Sequence, residues 1–211
     1  MSIKELYHIE KISYKEAENM VVENHYLHRK ASCCHAYGLF ENETNELIGT
    51  IIYGIPASRA LQKGICGESE ANNVIEITRV WIKDGTPKNV ESYLIGNTIK
   101  LVPYEIVVSY AEKGVGHVGY IYQATNFIYT GLSDKHVQWI IPDMDNAHSR
   151  HLFDQYGGIK KAKEVLGDKM VRTERPRKHR YIYFNANKKR KKELFKLLRY
   201  KIQPYPKLTI I

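Results

Sequence analysis

The chain is poor in cysteine and proline and has no long apolar run. Only Cys33, Cys34 and Cys66 are cysteines among 211 residues, and adjacent thiols rarely bridge each other, so no disulfide framework can be read. That excludes a small, staple-held secreted domain and points to a reducing, cytoplasmic setting. No stretch approaches the roughly 18 apolar residues that span a bilayer, so no membrane partner is expected. The start, MSIKELYHIEKIS, lacks the apolar core of an export signal. The seven prolines mark no low-complexity linker and no repeat is visible, so one α/β domain is the economical reading.

What is present begins with charge. The net charge is +9, but it is unevenly distributed. Residues 159–207 carry 18 Lys and Arg against four Asp and Glu, whereas the rest carries 14 against 19. A mildly acidic body with a basic C-terminal quarter suits action on a polyanion, and aromatics interleaved with the charge favour nucleic acid. The chain is read as a core over 1–158 and a basic extension over 159–211, which is expected to complete the sheet and to contact nucleic acid. Candidate phosphate contacts are Arg175, Arg177, Lys178 and Arg180 in RPRKHR, and Lys188, Lys189, Arg190, Lys191 and Lys192 in KKRKK.

The hydrophobic pattern gives the elements. Ser13–Leu27 reads as an amphipathic helix with Ser13 and Glu16 as a capping box. Ala36–Phe40 and Leu47–Tyr53 read as a hairpin around an acidic turn, and 54–67 as a loop. Val74–Lys83 alternates as a strand, which puts Glu76, Thr78 and Val80 on one face and Ile75, Ile77, Arg79 and Trp81 on the other. Asn89–Leu101 follows as a helix with Glu91 in its first turn. Later come strands at Val137–Ile141 and Arg180–Phe184, a short helical turn at 147–156, a basic helix at Lys188–Tyr200 with a Leu194, Leu197, Leu198 stripe, and a proline-extended tail.

The densest chemistry lies in Glu105–Gly131. A β-branched strand, a turn punctuated by Gly114 and Gly116, a helix over His117–Asn126 and a strand over Phe127–Thr130 bring Ser109, Tyr110, Glu112, His117 and Tyr122 to one junction. Such junctions gather backbone N–H groups and side chains on one pocket. His25, His28, Cys33, Cys34 and His35 fit no zinc spacing and read as buried thiols and loop histidines, and Asp143, Asp145, His148 and His151 make no stronger set, so no metal ligands are assigned.

The element order resembles the GNAT acyltransferase fold: a mixed central sheet flanked by helices. Tyr122-Gln-Ala-Thr-Asn-Phe127 is similar to the Tyr-x-x-x-Gly-Phe signature of that fold's catalytic helix, where the tyrosine often acts as general acid toward a departing thiolate. The GNAT pyrophosphate loop, Arg/Gln-x-x-Gly-x-Gly/Ala, has no counterpart, since Lys88–Gly96 supplies no glycine pair and presents the acidic Glu91.

More specifically, the chain resembles the bacteriophage Mom family of DNA-modification proteins. The carriers are His25-Tyr26, Tyr53-Gly-x-Pro-Ala-Ser58, Glu76-x-x-Arg79, Lys88-Asn-x-Glu-Ser92, Ser109-Tyr-Ala-Glu112, Gly116-His-x-Gly119 and Tyr122-Gln-Ala124, in order over about 100 residues. Glu112 stands where the family is expected to show Asp. The resemblance implies conversion of adenine in DNA to its N6-(carbamoylmethyl) form, protection from host restriction, a location in the host cytoplasm, and an acyl or glycine-derived donor. Iron is not excluded. Adenine inside double-stranded DNA is unreachable, so base flipping is implied.

The implied roles fall on specific residues. Glu112 would bind or deprotonate N6 and Tyr122 would act as acid; Ser109 would anchor the donor, and His117, opening a helix, would act as base or cap. Tyr53, Ser58, Glu76, Arg79, Asn89, Glu91, Ser92 and Tyr110 are the candidate substrate- and donor-binding residues, with Tyr53, Tyr110 or Trp81 stacking on the extruded base. The alternatives are an acetyl-CoA-dependent N-acetyltransferase and a non-catalytic DNA-binding protein on a GNAT core.

Overall fold

The computed structural model describes residues 2–141, 153 and 155–207. The first half runs α1 (Ile3–Leu6), β1 (Tyr7–Lys11), α2 (Tyr14–Asn24), β2 (His35–Glu41), β3 (Leu47–Gly54), α3 (Arg59–Cys66) and β4 (Val74–Ile82). It continues through α4 (Val90–Thr98), β5 (Ile106–Glu112), α5 (Tyr120–Ala124), β6 (Ile128–Leu132) and β7 (His136–Ile140). The last part holds α6 (Ile159–Leu166), β8 (Val171–Arg175), β9 (Lys178–Phe184) and α7 (Lys188–Leu197). The expected helical turn at 147–156 and the Asp143–His151 cluster fall mostly outside the described residues.

Seven strands form one sheet in the order β1-β2-β3-β4-β5-β9-β6, and β7 and β8 form a separate ribbon. Every neighbouring pair is antiparallel except β4 and β5. One face of the large sheet packs Tyr53, Ile75, Ile77 and Val107 against Leu94 and Ile95 of α4 and Tyr122 of α5. The other packs Val108, Ile182 and Phe184 against Ile65 of α3 and Leu194 of α7, with Ala17 and Val21 of α2 on Ile52 nearby.

Local chemistry explains most elements. Ser13 accepts the Glu16 N–H while the Glu16 carboxylate accepts the Ser13 N–H, closing the capping box of α2. α3 lies in the stretch read as a loop. Its signals are the Ser58 cap, which accepts the Leu61 N–H, and an apolar Leu61–Ile65 pair one turn apart. β1 and β8 escape the pattern because neither presents an alternating buried face: β1 buries only Tyr7, and β8 buries none of its residues. The leucine stripe of α7 is narrower than expected: Leu194 is buried, but the helix ends at Leu197, which is 40% exposed.

Two departures from regular geometry shape the centre. The β4–β5 ladder lasts only from Val74–Ile106 to Glu76–Val108. β4 then continues along β3, and β5 along β9, so the two strands part like a fork. At the same level the β3–β4 register slips, Ile52 opposing Arg79 while Tyr53 opposes Ile77. Thr78 is the extra residue of this bulge, and it inverts the alternation beyond it. Arg79 consequently shares the face of Glu76 rather than the opposite one, and Val80 and Ile82 turn into the core cluster of Ile77.

α5 is shorter than the sequence suggests. Gly119 has φ +77°, and a Cβ there would lie 2.5 Å from the Tyr181 ring, so the helix starts only at Tyr120. Asn126, at φ 61°, ends it. The tail crosses behind this helix: Gln123 Nε2 donates to the Pro206 carbonyl, the Tyr205 hydroxyl to the Phe127 carbonyl, and the Gln203 N–H to the Tyr129 carbonyl.

Arg190 fastens α7 to the rest. Its Nη2 lies 2.7 Å from Glu70 Oε2 and its Nε 2.9 Å from Glu105 Oε2, and Asn73 Nδ2 donates to both carboxylates. Removing the guanidinium strands two partly buried carboxylates beside each other. Arg190→Ala is expected to cost about 2 kcal/mol and to lower the thermal midpoint by roughly 4–8 °C, measured by circular dichroism.

Candidate active site

The fork opens into a cleft of about 500 Å³. Its walls are Ile77–Ile82 of β4, Tyr110–Glu112 of β5, the Gly116–Gly119 turn, the start of α5, His25–Leu27 after α2, Glu91 of α4 and Lys178 of β9. The volume suits a nucleobase-sized or small cofactor-like ligand.

Tyr122 forms the back wall. It is buried, with ring centroids 5.4 Å from both Phe127 and Tyr181. Burial pushes its hydroxyl up to about 12, while a hydrogen bond with Ser109 acts the other way. The phenol therefore stays protonated near neutrality and can donate a proton. Ser109 is itself fully buried, and its hydroxyl also reaches the Ile77 carbonyl at 3.4 Å, across the crotch of the fork.

Glu112 lies at the cleft with its Oε2 2.6 Å from Lys178 Nζ, both side chains mostly shielded from solvent. His117 does not open α5 as expected, because Val118 and Gly119 intervene before the helix begins. It is an exposed loop residue whose ring meets Tyr26 edge-on at 5.8 Å and whose N–H donates to the Glu112 carbonyl. Tyr26 in turn stacks on His25 at 4.4 Å. His25 is pushed down to about 4 by burial, with the nearby Arg79 charge adding to it, so the imidazole is neutral at physiological pH.

Arg79 contributes an unsatisfied donor. Its Nη1 donates to the Thr78 carbonyl at 2.6 Å, whereas its Nε is buried without a partner among the described residues. A buried N–H of this kind costs free energy unless something binds it, which marks the position for a ligand acceptor. Tyr110 is half-buried on the β5 wall, its hydroxyl raised chiefly by burial. Glu91 lines the cleft from the first turn of α4.

Several expected site residues lie elsewhere. Tyr53 is fully buried with its hydroxyl 2.8 Å from Thr98 Oγ1, a core tyrosine that no base can stack upon. Ser58 caps α3. Asn89 and Ser92 shape the start of α4, the Ser92 hydroxyl donating to the Asn89 carbonyl, and neither lines the cleft. Among the basic residues, Arg180 is 6% exposed, bonded to Thr130 and stacked over the Tyr200 ring, and is unavailable to a phosphate. Arg177 donates to the carbonyls of Leu132 and Ser133, and Arg190 is spent on Glu70 and Glu105. Lys191 lies over the Tyr183 ring. Lys188, Lys189 and Lys192 are exposed, but α7 begins where β5 begins and the cleft lies where β5 ends. Seven strand residues separate them, roughly 20 Å.

The sequence reading missed Tyr26, Leu27, Tyr120 and Ile121. Only the paired His25-Tyr26 motif signalled the first of these, since a loop after a helix has no periodicity to read. Among the described residues no three His, Cys, Asp or Glu side chains converge as a metal site, and no helix is long and apolar enough to cross a membrane.

Glu76 sits at the last paired position before the fork, on the same face as Arg79. Burial pushes its carboxyl up to about 7, with Lys178 and Arg79 pulling the opposite way. The folded chain thus holds a proton that the unfolded chain releases near 4.5. Folding takes up that proton between these values, so stability falls as pH rises from about 5 to about 8. Glu76→Gln is expected to remove this component: the variant's thermal midpoint should gain on the wild type as pH rises through that window.

Comparison with known proteins agrees with this geometry. Residues 6–207 match the Mom protein family. The methylcarbamoylase mom of Escherichia phage Mu is 27% identical over 210 residues, covering 94% of this chain and 83% of that protein. Among solved structures, NAA60 of Arabidopsis thaliana in complex with acetyl-CoA superposes with a TM-score of 0.52 at 10% identity, covering 84% of this chain and 98% of that one. The spermidine/spermine N-acetyltransferase SpeG of Vibrio cholerae gives 0.50 at 6% identity, with 90% and 99% covered. The forked sheet is thus the GNAT acetyltransferase fold. With the family match running through β1, the fork, the buried tyrosine and the tail, the chain belongs to the Mom protein family.

Proposed function

We propose that the protein is a transferase that adds a carbamoylmethyl group to N6 of adenine in DNA, shielding that DNA from restriction. The observation that carries this reading is the buried Tyr122–Ser109 hydroxyl pair at the fork, at the back of a cleft that has no phosphate cradle. The family match supports the substrate class.

The adenine amine is a weak nucleophile because its lone pair is delocalised into the ring, so transfer needs a proton acceptor at N6 and a proton donor at the leaving group. As N6 attacks the donor carbon, an N–C bond forms and the bond to the leaving group breaks. The N6 proton passes to the Glu112 carboxylate, and Tyr122 protonates the departing group. Lys178, 2.6 Å from Glu112, balances the carboxylate charge and fixes its direction. The Arg79 Nε–H, without a partner in the described chain, offers a hydrogen bond to a carbonyl oxygen on the donor. Adenine reaches this cleft only by leaving the base stack, and exposed Tyr26 and Tyr120 at its mouth offer stacking faces.

Acetyl-CoA, the cofactor that the fold would imply, does not fit the residues present. Where its pyrophosphate would meet the start of α4, Asn89 has φ 72° with no side-chain cap, and Glu91 faces the cleft. A carboxylate at that position repels phosphates. The transfer therefore runs from a donor that carries no pyrophosphate at that turn.

The test is expression in bacteria, digestion of plasmid DNA to nucleosides and mass spectrometry. A carbamoylmethylated deoxyadenosine is expected from the wild type. Tyr122→Phe and Glu112→Gln should each lower its yield about 100-fold or more while leaving the fold intact. Unmodified deoxyadenosine from soluble, donor-supplied protein would overturn the function. Full modification by either variant would overturn that residue's role. Tight acetyl-CoA binding by calorimetry would favour an acetyltransferase instead.

A further inference from the structure

Beside the cleft lies a second cavity of about 220 Å³, sharing Tyr110 and Lys178 as a common wall. Its remaining polar lining is Ser133, Asp134, His136 and Arg175. Resting on the reading above, we propose that this cavity is the phosphate subsite of the DNA strand, holding a phosphodiester next to the target adenine, with Arg175 as its principal contact.

The placement follows from how the floor is built. His136 and Arg175 face each other as the first pair of the β7–β8 ribbon. Three bonds clamp that end of the ribbon to the main sheet. The Arg177 guanidinium donates to the Ser133 and Leu132 carbonyls, and the Lys178 N–H donates to Ser133 Oγ at 3.0 Å. Ser133 Oγ thus has its hydroxyl hydrogen left to give to an anion. The cavity's cations are not equivalent. Lys178 is committed to Glu112 at 2.6 Å. Arg175 is half-buried and forms no ion pair among the described residues, so its charge and its forked donors remain for a ligand. Asp134 is the one carboxylate in the lining, and it is exposed. Donors therefore dominate the inner part of the cavity.

Geometry also decides which basic residues can serve. A phosphate flanking an extruded nucleotide must sit next to the pocket that takes its base. Lys188, Lys189 and Lys192 lie at the opposite end of β5, and Arg177, Arg180 and Arg190 are occupied within the fold. Arg175 remains, in the same cavity as Tyr110 and one shared wall away from Glu112. Contacts of this kind fix register on the strand without reading sequence.

The test uses fluorescence anisotropy of a short labelled duplex across a salt series. Arg175→Gln should flatten the slope of log K against log salt by about 0.9, the signature of one lost phosphate contact, with an unchanged thermal midpoint. Arg175→Lys should retain most of the slope. In wild-type protein, a neutral methylphosphonate scanned through the phosphates around the target adenine should cause the same flattening at one position. Combining that substitution with Arg175→Gln should add nothing, whereas combining it with Lys188→Gln should remain additive. An unchanged slope for Arg175→Gln on DNA that the wild type binds would overturn the subsite alone, as would full additivity at every methylphosphonate position. A raised donor KM with unchanged DNA slope would assign the cavity to the donor instead. A wild type with no affinity for DNA would overturn both this subsite and the proposed function.

Discussion

Everything in the site depends on the early end of the β4–β5 ladder. Three residue pairs hold the strands together, and then each follows its other neighbour. Backbone groups that would have bonded across the gap are left facing a cleft, and Ser109 occupies the crotch with its hydroxyl between Tyr122 and the Ile77 carbonyl. The Thr78 bulge is the companion of this parting. It turns Arg79 to the side of Glu76 and places beside the opening an Nε–H that has no partner among the described residues. A regular ladder would have paired the backbone groups of β4 and β5 with each other and left no place for a ligand.

The electrostatics of the cleft follow from burial more than from formal charge. Tyr122, His25 and Glu76 are each shifted first by desolvation, and in each the neutral form is favoured. The Glu112–Lys178 pair is the close ion pair at this wall. Such an environment favours uncharged groups and can move single protons without carrying a large standing charge. It also differs from the cradle of a coenzyme A enzyme, where fixed positive potential meets a pyrophosphate. Glu91 reverses the sign at that turn.

Much of this was legible in the sequence, for reasons particular to each residue. The Ser13–Glu16 box, the β-branched run of β5 and the turn glycines before α5 have strong local causes, and the structure has them close to where they were read. Glu112, Tyr122, Arg79 and Glu91 all line the cleft, and Ser109 lies behind Tyr122. The failures share another cause, because contacts far apart in sequence decided them. Tyr53 looks like any motif tyrosine until Thr98 of α4 claims its hydroxyl. Arg180 sits in a basic run, but Thr130 and Tyr200 enclose it. The inversion of Glu76 and Arg79 comes from one inserted residue, which a period-two pattern cannot register.

The position of β9 has a consequence in time. It lies between β5 and β6, paired along β5 from Ile106–Phe184 to Glu112–Lys178, although more than 60 residues separate the two strands in the chain. Lys178, a wall of both cavities, arrives with it, and the Gln203–Pro206 segment that braces α5 arrives later still. A growing polypeptide can therefore assemble β1 to β5 and their helices while its catalytic cleft remains unformed. The cleft is complete only once β9 and this segment have joined the sheet, and a product truncated before β9 carries the core's hydrophobic half without that wall.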